Sequence, residues 1–460
     1  MNPTGADVEE ATSFLDRHPD IEAIDIVLVD ANGIGRGKMI RRHELVPLFR
    51  SGRHLPISIL GLDVTGEDVQ ETGLVWSVGD ADRIAWPVPG TLKPMPWTSP
   101  SRAQVQLALF ELDGTPMAAD PRQALQRQCS ALKARGLTAA AAFELEFFLF
   151  DAKRGEDGIP RPAAALIDGK PSRYTQVYGL EKLDGMQPLF ADIYQAAHAQ
   201  DIPLETLISE YAPGQYELTL HYRNDIVQAA DDLVCLKRLV RSVARRHQVT
   251  ACFMAKPLAD CAGSGMHLHV SLADAAGSNV FSAGAAAGKQ PPRKAIGGVL
   301  RHMPDSMLVF APHANSWRRF VAQSYAPLSP TWGINNRSVA VRVPAGPDSS
   351  RRFEHRVSGV DANPYLVAAT VLAGVQDGLA NHLDPGAAVV GNGYEPAAAL
   401  AGTMPADWRG AIETAEQSGF LRSALGEGLH RSFIAVKRAE YLRVNRVVSE
   451  LDYRLYLDQI

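Results

Sequence analysis

The sequence predicts an α+β protein in which strands carry the chemistry and helices cover their back. Three observations support this class. Strand-like runs place charged residues at every second position, apolar residues recur about every 3.6 residues in stretches between them, and Gly and Pro residues mark the turns. With 460 residues, 46% of them hydrophobic, the chain is long enough to bury a large core beside a smaller companion domain.

The first hundred residues read as a small mixed domain. A helix is predicted at 8–17, followed by two strands joined by a turn, a Pro-rich stretch and a further strand. Asp120 before Pro121 is typical of a helix start, since Asp is a good N-cap and Pro is favoured at the first helical position. We place the domain boundary just before this start, which divides the chain into residues 1–116 and 117–460.

Longer apolar periods predict three helices in the second part of the chain. They run at about 122–135, 225–247 and 362–383, and a strand is expected at 249–255. Because these helices alternate with the charged strand-like runs, we expect them to pack behind the strands and leave the charged faces free.

Composition excludes several classes of protein. The formal net charge of −5 argues against nucleic-acid binding by bulk charge. No run approaches the roughly 18 apolar residues of a membrane span, and the acidic start lacks the pattern of a signal peptide. The four cysteines form no CxxC pair, which suits a reducing compartment. We therefore expect a cytoplasmic protein with no nucleic-acid or membrane partner.

Two acidic residues share one face of the first charged strand. Glu144 and Glu146 alternate with Phe143, Leu145 and Phe147, which are expected to face the core. Two carboxylates this close raise each other's pKa unless a cation lies between them. Taken alone, the pair fits an exposed strand face slightly better than a site.

A second acidic pair flanks a turn. Glu210 and Glu217 lie on either side of the turn signal at 212–214, so a bent strand would bring both carboxylates to one place. Carboxylates from different strands suit Mg²⁺, which takes a few of them together with substrate phosphates. A solvated hairpin explains this pair about equally well.

Histidines alternate with apolar residues in the next run. His267, His269 and Ser271 are expected on the face opposite Met266 and Leu268. An HxH pattern alone is a weak signal, since a strand histidine is more often a hydrogen-bonded residue. Glycines just before the run indicate backbone that approaches another group closely. The chain has no GxxxxGK[ST] phosphate loop, so a mechanism of that type is excluded.

Four arginines follow in two further runs. They are Arg337, Arg342, Arg352 and Arg356, with Glu354 between the last two. Arginine forks bind phosphate and carboxylate in a bidentate manner, although any single one could form a structural salt bridge. So many carboxylates, imidazoles and guanidiniums on shared faces are best neutralised by divalent metals with a polyphosphate. We interpret the five segments as a metal-dependent ATP site.

These segments resemble, in the same order, the signature segments of the glutamine synthetase superfamily. The matching phrases are ELEFFLF, EYAPGQYE, GSGMHLHVSL, NSWRRFV, NNRSVAVRVP and RRFEHR followed by ANPYL. The likeness runs from about Asp120 to the C-terminus, and the residues before it resemble that family's β-grasp domain. The resemblance thus implies a β-grasp domain at 1–116 and a catalytic domain at 117–460, whose curved antiparallel sheet lines the active site.

The resemblance also implies a role for each matching residue. The first metal would be held by Glu146, Glu210 and Glu217, and the second by Glu144, His267 and Glu354. ATP would be bound by Glu205, His269, Ser271, Arg337, Arg342 and Arg352. Glutamate would be held by Gly263, Arg319 and Arg356, and catalytic roles would fall to Arg337, Arg319 and Asp63. Two to three Mg²⁺ or Mn²⁺ ions per active site are implied, with ATP as co-substrate.

Departures from the family pattern bear on the amine that is used. Tyr325 stands where glutamine synthetases have a Glu that helps to bind ammonium and remove its proton. An aromatic side chain cannot do that, but it can pack on an alkyl chain or face a remote ammonium group. Alternatively, another acid binds ammonium and Tyr325 only fills the loop. Tyr178 and Asp63 are further candidates for the amine pocket, and the family's adenylylated tyrosine has no visible counterpart.

The N-terminal phrases VDANGIGRGKMI and LGLDVTGEDVQETGL, with DGMQPLFADIY further on, resemble most the γ-glutamylpolyamine synthetase branch of the family. We therefore expect ATP-dependent ligation of the glutamate γ-carboxylate to a primary amine, such as putrescine, spermidine, spermine or another alkylamine, through γ-glutamyl phosphate. A true glutamine synthetase, a non-catalytic relative and a metal hydrolase built on the two histidines remain as alternatives. The resemblance further implies a homododecamer of two stacked hexameric rings, with active sites shared between neighbouring subunits.

Overall fold

Two β-sheets organise the chain in the computed structural model, which describes residues 2–282, 291–395 and 404–460. Strands between residues 23 and 110 form the first sheet, and strands between 138 and 355 form the second. Helices pack on both sheets, as the predicted α+β class requires. The fold class is therefore confirmed.

The first sheet has six strands in the order β2-β1-β6-β4-β3, with β5 paired to β6. β1 and β6 are parallel, and the other neighbouring pairs are antiparallel. Two helices bury Phe14 and Phe49 against this sheet. A mixed sheet covered by helices fits the predicted β-grasp fold. Its strands and helices are β1 Ala23–Val29, β2 Gly35–Arg41, β3 Arg53–Pro56, β4 Asp82–Pro87, β5 Lys93–Met95, β6 Arg102–Phe110, α1 Val8–Arg17 and α2 Leu45–Ser51.

The second sheet has eight strands in the order β12-β13-β14-β11-β7-β9-β8, with β10 paired to β7. All of its pairs are antiparallel except β12 with β13. β7 is the long central strand, and its Phe143, Leu145 and Phe147 are fully buried, as the alternation predicts. The strands are β7 Thr138–Asp151, β8 Leu204–Ser209, β9 Gln215–Leu220, β10 Val249–Cys252, β11 Met266–Ala273, β12 Trp332–Ile334, β13 Val341–Val343 and β14 Phe353–His355.

The helices of the second part cover the back of the second sheet and each other. Three of them, α3, α6 and α10, confirm the helices predicted at 122–135, 225–247 and 362–383. None of the described helices combines the length and the apolar composition that crossing a bilayer would require. The helices are α3 Pro121–Lys133, α4 Leu180–Gly185, α5 Gln187–Ala199, α6 Ile226–Arg246, α7 Pro291–Arg301, α8 Met303–Phe310, α9 Ala314–Trp317, α10 Pro364–Ala380, α11 Trp408–Gln417, α12 Gly419–Leu425, α13 Glu427–Asn445 and α14 Glu450–Tyr456.

Side chains at helix starts explain where α3 and α10 begin. Asp120 accepts a hydrogen bond from the Arg122 N–H at 2.8 Å, as predicted for an N-cap before Pro121. Asn363 accepts one from the Tyr365 N–H at 2.9 Å. Both caps satisfy N–H groups that the first helical turn leaves without a partner.

One predicted strand is much shorter in the structure. The run around Arg337 and Arg342 was expected to alternate over its whole length, but β13 includes only 341–343 and Arg337 lies in an exposed turn. The Asn336 side chain accepts hydrogen bonds from both the N–H and the hydroxyl of Ser338, at 3.0 and 2.6 Å. Such local bonds stabilise a turn at the expense of a strand.

A buried polar group ties the first sheet to α13. Lys437 and Glu440 are both buried, and Lys437 Nζ lies 2.8 Å from Glu440 Oε2. Asn32, in the turn after β1, accepts a hydrogen bond from Lys437 and donates one to Glu440 at 3.1 Å. Burial raises the pKa of Glu440, but the charge of Lys437 and the hydrogen bond with His313 together outweigh it and lower the pKa below its ordinary value. The Lys437–Glu440 ion pair on α13 is therefore also hydrogen-bonded to Asn32, a residue of the turn between β1 and β2.

Candidate active site

Strand register brings the predicted acidic residues together on one face of the second sheet. Glu144 on β7 lies opposite His267 on β11. Two residues further along β7, Glu146 lies opposite Glu217 on β9. Residues two apart on a strand share a face, so the four side chains project to the same side of the sheet.

The same face continues across the other edge of β11. His269 lies opposite Glu354 on β14, and Glu354 lies opposite Arg342 on β13. Arg356 follows Glu354 by two residues and donates to it. Antiparallel pairing of five strands thus assembles carboxylates, imidazoles and guanidiniums that are far apart in the sequence.

Two histidines hold Glu144. The distance from His267 Nδ1 to Glu144 Oε2 is 2.8 Å, and that from His269 Nε2 to Glu144 Oε1 is also 2.8 Å. Burial by itself raises the pKa of this carboxyl. The hydrogen bonds from both imidazoles outweigh burial and hold the pKa of Glu144 well below its ordinary value. Glu144 is therefore ionised at neutral pH.

Two arginines hold Glu354. The fully buried carboxylate accepts hydrogen bonds from Arg342 Nε and Arg356 Nη1. Burial raises the pKa of Glu354, but the charges of Arg356 and His269 outweigh it and lower the pKa to about 2. Arg342 and Arg356 were predicted to face phosphate and glutamate. In this structure they also neutralise a carboxylate of the chain itself.

The opposite end of the cluster is acidic, and Arg337 and Arg319 act on its carboxylates only from beyond ion-pair distance. Burial and then the charge of Glu146 raise the pKa of Glu210 to about 7. Burial and then Glu144 raise the pKa of Glu217 well above its ordinary value. Within the part of the chain that the structure describes, Glu146, Glu210 and Glu217 form no ion pair. Glu146 accepts a hydrogen bond from the N–H of Gly265 at 2.6 Å.

The donor atoms of the cluster suit divalent metal ions. Two overlapping groups place one donor atom from each member within 4.8 Å of the others. One group contains Glu144, Glu217 and His267, and the other contains Glu144, His269 and Glu354. Carboxylate oxygens and imidazole nitrogens at this density, with acids that lack cations beside them, fit Mg²⁺ or Mn²⁺.

These two groups divide the residues differently from the predicted ligand sets. Glu146 and Glu210 belong to neither group, although both lie near Glu217 electrostatically. His269, predicted to contact the nucleotide, belongs to the second group. The assignment of individual ligands to individual ions stays a prediction.

A cavity of about 650 Å³ adjoins the cluster. Its lining includes Glu144 and four of the six residues predicted to bind ATP, which are Glu205, His269, Ser271 and Arg352. Arg352 Nε donates to His269 Nδ1 at 3.1 Å, which leaves His269 Nε2 directed at Glu144. Glu205 pairs with His221 at 2.6 Å at the exposed rim. Arg337 and Arg342, the other two predicted ATP ligands, lie outside this lining.

Arg319 passes closely between glycines, as the glycine pattern predicted. A Cβ atom on Gly263 would lie 2.8 Å from Arg319 Cγ and 2.6 Å from the Ala255 carbonyl oxygen. A Cβ on Gly265 would lie 2.8 Å from Arg319 Nη2. The buried guanidinium donates from Nη1 to the Val357 carbonyl at 2.8 Å. The chain therefore needs glycine here so that Arg319 can reach the region of Glu146.

The structure does not bring Asp63 to the cluster of its own chain. Its carboxylate accepts a hydrogen bond from the Thr65 hydroxyl at 2.7 Å and pairs with Arg443 Nη2 at 2.9 Å. Burial raises the pKa of Asp63, but hydrogen bonds from Thr65 and the Glu67 N–H outweigh it and lower the pKa. The catalytic and amine-binding role of Asp63 stays a prediction.

Both predicted amine-pocket tyrosines are exposed and have left-handed backbone angles. The φ of Tyr178 is 60° and that of Tyr325 is 59°. The Tyr178 N–H donates to the Ser209 carbonyl at 2.8 Å, beside Glu210. Positive φ is unusual for an aromatic residue and is found where the surroundings fix a side chain in place.

Sequence reasoning missed two polar residues that act on the site. Gln215 Nε2 donates to the Gly263 carbonyl at 3.0 Å and approaches Glu146 Oε2 at 3.5 Å. His221 pairs with Glu205 at the rim of the cavity. Both residues lie an even number of positions from Glu217, so the period of two that marked Glu217 would have marked them as well.

Comparisons with known proteins agree with this geometry. The glutamine synthetase catalytic domain profile matches residues 118–456. Gamma-glutamylputrescine synthetase PuuA of Escherichia coli (strain K12) is 37% identical over 96% of this chain and 93% of that protein. Glutamate–isopropylamine ligase of a Pseudomonas species is 29% identical over 97% of both chains.

A solved structure also resembles the whole chain. The structure titled "GmaS/ADP complex-Conformation 1" superposes with a TM-score of 0.83 at 27% identity, covering 98% of this chain and all of the other. The likeness therefore extends over both sheets and is not confined to the catalytic segments. Together with the profile match and the 37% identical relative, it shows that this chain belongs to the glutamine synthetase family.

Proposed function

We propose that this protein joins the γ-carboxylate of glutamate to a primary amine at the expense of ATP. The observation that carries the proposal is the cluster of carboxylates, histidines and arginines on one sheet face, next to a cavity that matches the predicted nucleotide site. The names of two relatives, a gamma-glutamylputrescine synthetase and a glutamate–isopropylamine ligase, support an organic amine as the acceptor.

The reaction needs activation of the carboxylate before the amine can attack. Transfer of the ATP γ-phosphoryl group forms a bond from phosphorus to a glutamate γ-oxygen and breaks the bond to ADP. The amine nitrogen then attacks the γ-carbon of γ-glutamyl phosphate, the C–O bond to phosphate breaks, and the nitrogen loses a proton. Positioning and charge stabilisation are the main contributions of a protein to phosphoryl transfer.

The divalent ions would be held by Glu144, Glu217, His267 and Glu354. Glu146 and Glu210 are the further predicted ligands. Enzymes of this family use ATP and divalent metals, and we propose two to three Mg²⁺ or Mn²⁺ ions per site. When bound, such ions stabilise the negative charge of the transferring phosphoryl group. Until then, the imidazoles of the chain keep Glu144 ionised and correctly oriented.

Two arginines are proposed to act on the substrates directly. Arg319 is buried against Gly263 and Gly265, and its charge interacts with that of Glu146. This position suits a group that holds the glutamate carboxylate. Arg337 lies in an exposed turn and acts electrostatically on Glu210, so it is free to approach the phosphates of ATP. Each guanidinium offers a fork of donors that matches its proposed anion.

The first experiment measures phosphate release by the purified protein with ATP, Mg²⁺ and glutamate. Ammonium is compared with putrescine, spermidine, spermine, ethanolamine and isopropylamine, and mass spectrometry identifies the product. We expect turnover with at least one organic amine and little with ammonium. Dominant turnover with ammonium would identify a glutamine synthetase instead, and no turnover with any amine would favour the non-catalytic alternative.

A substitution at Tyr325 tests the choice of amine separately. We expect Tyr325→Glu to shift the ratio of kcat/KM values toward ammonium by about tenfold, since one well-placed polar group changes discrimination by that order. Tyr394→Phe is the matched control, because it removes a neighbouring hydroxyl that donates to the Ala326 carbonyl at 3.2 Å without adding a charge. An unchanged ratio in Tyr325→Glu would remove the role assigned to Tyr325.

The assembly is proposed by family likeness. We propose a cytoplasmic homododecamer of two stacked rings, in which residues 1–116 of one subunit complete the site on residues 117–460 of its neighbour. The position of Asp63, away from the cluster of its own chain, supports sharing of this kind. Light scattering of the purified protein tests the assembly. A monomer that turns over at full rate would contradict it.

A further inference from the structure

A second cavity, of about 790 Å³, lies between the first sheet and α6 and contains none of the residues of the acidic cluster. One carboxylate, that of Glu22, lines this cavity. Six cationic side chains line it as well, two from the first sheet and four from α6. They are Arg41, Arg102, Lys237, Arg238, Arg241 and Arg245, and we call the cavity they line the basic cleft.

The spacing on α6 directs its cations to one side. Lys237, Arg241 and Arg245 follow each other at intervals of four residues, so they lie one above the other on one face of the helix. Arg41 and Arg102 approach from β2 and β6 on the other side. The cleft therefore has positive charge on both walls, which a ligand between them would contact simultaneously.

The charge of the basic cleft is only partly balanced. Asp25 pairs with Arg102 at 3.1 Å and also with Arg238. Among the residues that the structure describes, Arg41, Lys237, Arg241 and Arg245 form no ion pair. Arg41, Arg241 and Arg245 are exposed and Lys237 is partly buried, so these like charges repel each other with mainly solvent to screen them.

Lys237 is the most buried of these four cations. Its ammonium donates to the Val360 carbonyl and lies 5.8 Å from the centre of the Phe253 ring, while the guanidinium of Arg241 lies 4.7 Å from the same ring. Burial and then the charge of Arg241 lower the pKa of Lys237 to about 7, against a weaker opposing effect of Asp361. Two cations thus lie beside one aromatic ring and repel each other, and an anion close to both would stabilise both.

The size and chemistry of the basic cleft restrict what it can hold. Its volume falls within the range of small-molecule sites, and its polar lining does not suit an apolar ligand. Arginine forks match the oxygens of phosphate and carboxylate groups. We propose that the basic cleft binds a small anion with at least two negative charges, either a phosphate compound or a dicarboxylate.

The test measures anion binding by isothermal titration calorimetry on the full-length protein. The protein is first treated with a chelator that is then dialysed away, so that anions cannot bind through metal ions at the acidic cluster and no polycarboxylate competes for the basic cleft. Inorganic pyrophosphate and glutarate are titrated separately, which distinguishes a phosphate ligand from a dicarboxylate. We expect one of them to bind, and we expect Arg241→Gln/Arg245→Gln to weaken that binding by roughly tenfold or more.

Two control variants locate the binding. Arg50→Gln/Arg446→Gln removes two exposed arginines elsewhere, so it should change the affinity by less than about twofold, as screened distant charges do. Arg352→Gln alters the cavity beside the acidic cluster, and it should leave this binding unchanged. Arg41→Gln, on the opposite wall, replaces the double variant if that variant does not fold, and it should also weaken binding.

Three results would overturn the proposal. One is that neither anion binds the unchanged protein. Another is that binding survives Arg241→Gln/Arg245→Gln but is lost in Arg352→Gln, which would place the anion at the cavity of the acidic cluster. The third is that binding is unchanged both in Arg241→Gln/Arg245→Gln and in Arg352→Gln, which would place the anion outside both cavities.

Discussion

The two ends of the polar cluster carry similar carboxylates in different electrostatic surroundings. At one end, Glu354 is fixed by two arginines and its pKa is lowered to about 2. At the other end, Glu210 and Glu217 face other acids, and the pKa of Glu210 is raised to about 7. The chain neutralises the first end by itself, whereas carboxyls at the second end keep their protons to higher pH until a divalent ion replaces them.

The different partners indicate which carboxylates stabilise the folded chain and which are available to bind metal. A carboxylate paired with arginine stabilises the folded chain even without metal, because removing it leaves buried cations without a partner. A carboxylate among other carboxylates destabilises the metal-free chain and gains a partner only when a cation binds. The two ends should therefore respond in opposite ways to the same substitution.

The largest effect is expected from Glu217→Gln at the acidic end. Turnover should fall by at least about a hundredfold, because the charge stabilisation that bound metal provides is worth several kcal/mol. The melting temperature without metal should stay the same or rise, and the rise on addition of Mg²⁺ should disappear. Glu413→Gln, an exposed substitution on α11, is the control. If turnover by Glu217→Gln were close to that of the unchanged protein, the acidic end would not have the metal-binding role assigned to it.

At the arginine-bound end, Glu354→Gln should act on stability even without metal. We expect the free energy of unfolding to fall by about 3–5 kcal/mol, since Arg342 and Arg356 would lose their buried counter-charge. Urea denaturation in the presence of a chelator measures this. If Glu354→Gln and Glu217→Gln change the metal-free stability in the same direction, the two ends do not differ in the way their contacts indicate.

The stability of the metal-free chain should depend on pH in opposite directions at the two ends of the cluster. Glu210 has a pKa raised from 4.5 to about 7, so the folded metal-free chain binds more protons than the unfolded chain between these values. Its stability should therefore fall as pH rises from about 5 to about 7. Glu354, with its pKa lowered to about 2, contributes stability above about pH 4.5 that is lost as pH falls.

Denaturation in chelator at a series of pH values measures both trends. Glu210→Gln should flatten the decline between about pH 5 and 7, and addition of Mg²⁺ should do the same in the unchanged protein, because metal and proton compete for the same oxygens. A decline that persists in Glu210→Gln would have to come from other groups, with Glu217 as the next candidate.

The smallest effect is expected from Glu205→Gln at the rim of the cavity. Its pair with His221 is half exposed on both sides, so the free energy of unfolding should change by less than about 1 kcal/mol. If Glu205 contacts the nucleotide as predicted, the KM for ATP should rise a few-fold while kcat changes little. His221→Gln breaks the same pair but leaves the Glu205 carboxylate in place. It therefore separates the effect on stability from the effect on the KM for ATP.

The sequence predicted the inner part of the site well because one physical rule governs it. Period-two alternation with fully buried apolar neighbours placed Glu144, Glu146, His267 and His269 on a common face. The rule is local, so it needs no knowledge of which strands are neighbours. The class of the fold and the three long helices followed from equally local patterns.

The outer part of the site depends on contacts that no local pattern contains. Arg342 and Arg356 meet Glu354 because of the register between β13 and β14, which is fixed by tertiary packing. Arg337 left the predicted strand because the Asn336 side chain favours a turn. The partner of Asp63, Arg443, lies 380 positions further along the chain, a distance over which sequence spacing gives no information.

The link between Asn32 and the buried Lys437–Glu440 pair bears on recombination between relatives. A chimera that joins residues 1–116 of one family member to residues 117–460 of another would cut the backbone in a loop and yet separate these three side chains. A donor lacking an amide at position 32 would leave an ammonium and a carboxylate buried with fewer partners. The two parts of the chain are therefore expected to exchange successfully only when this triad is exchanged as a unit.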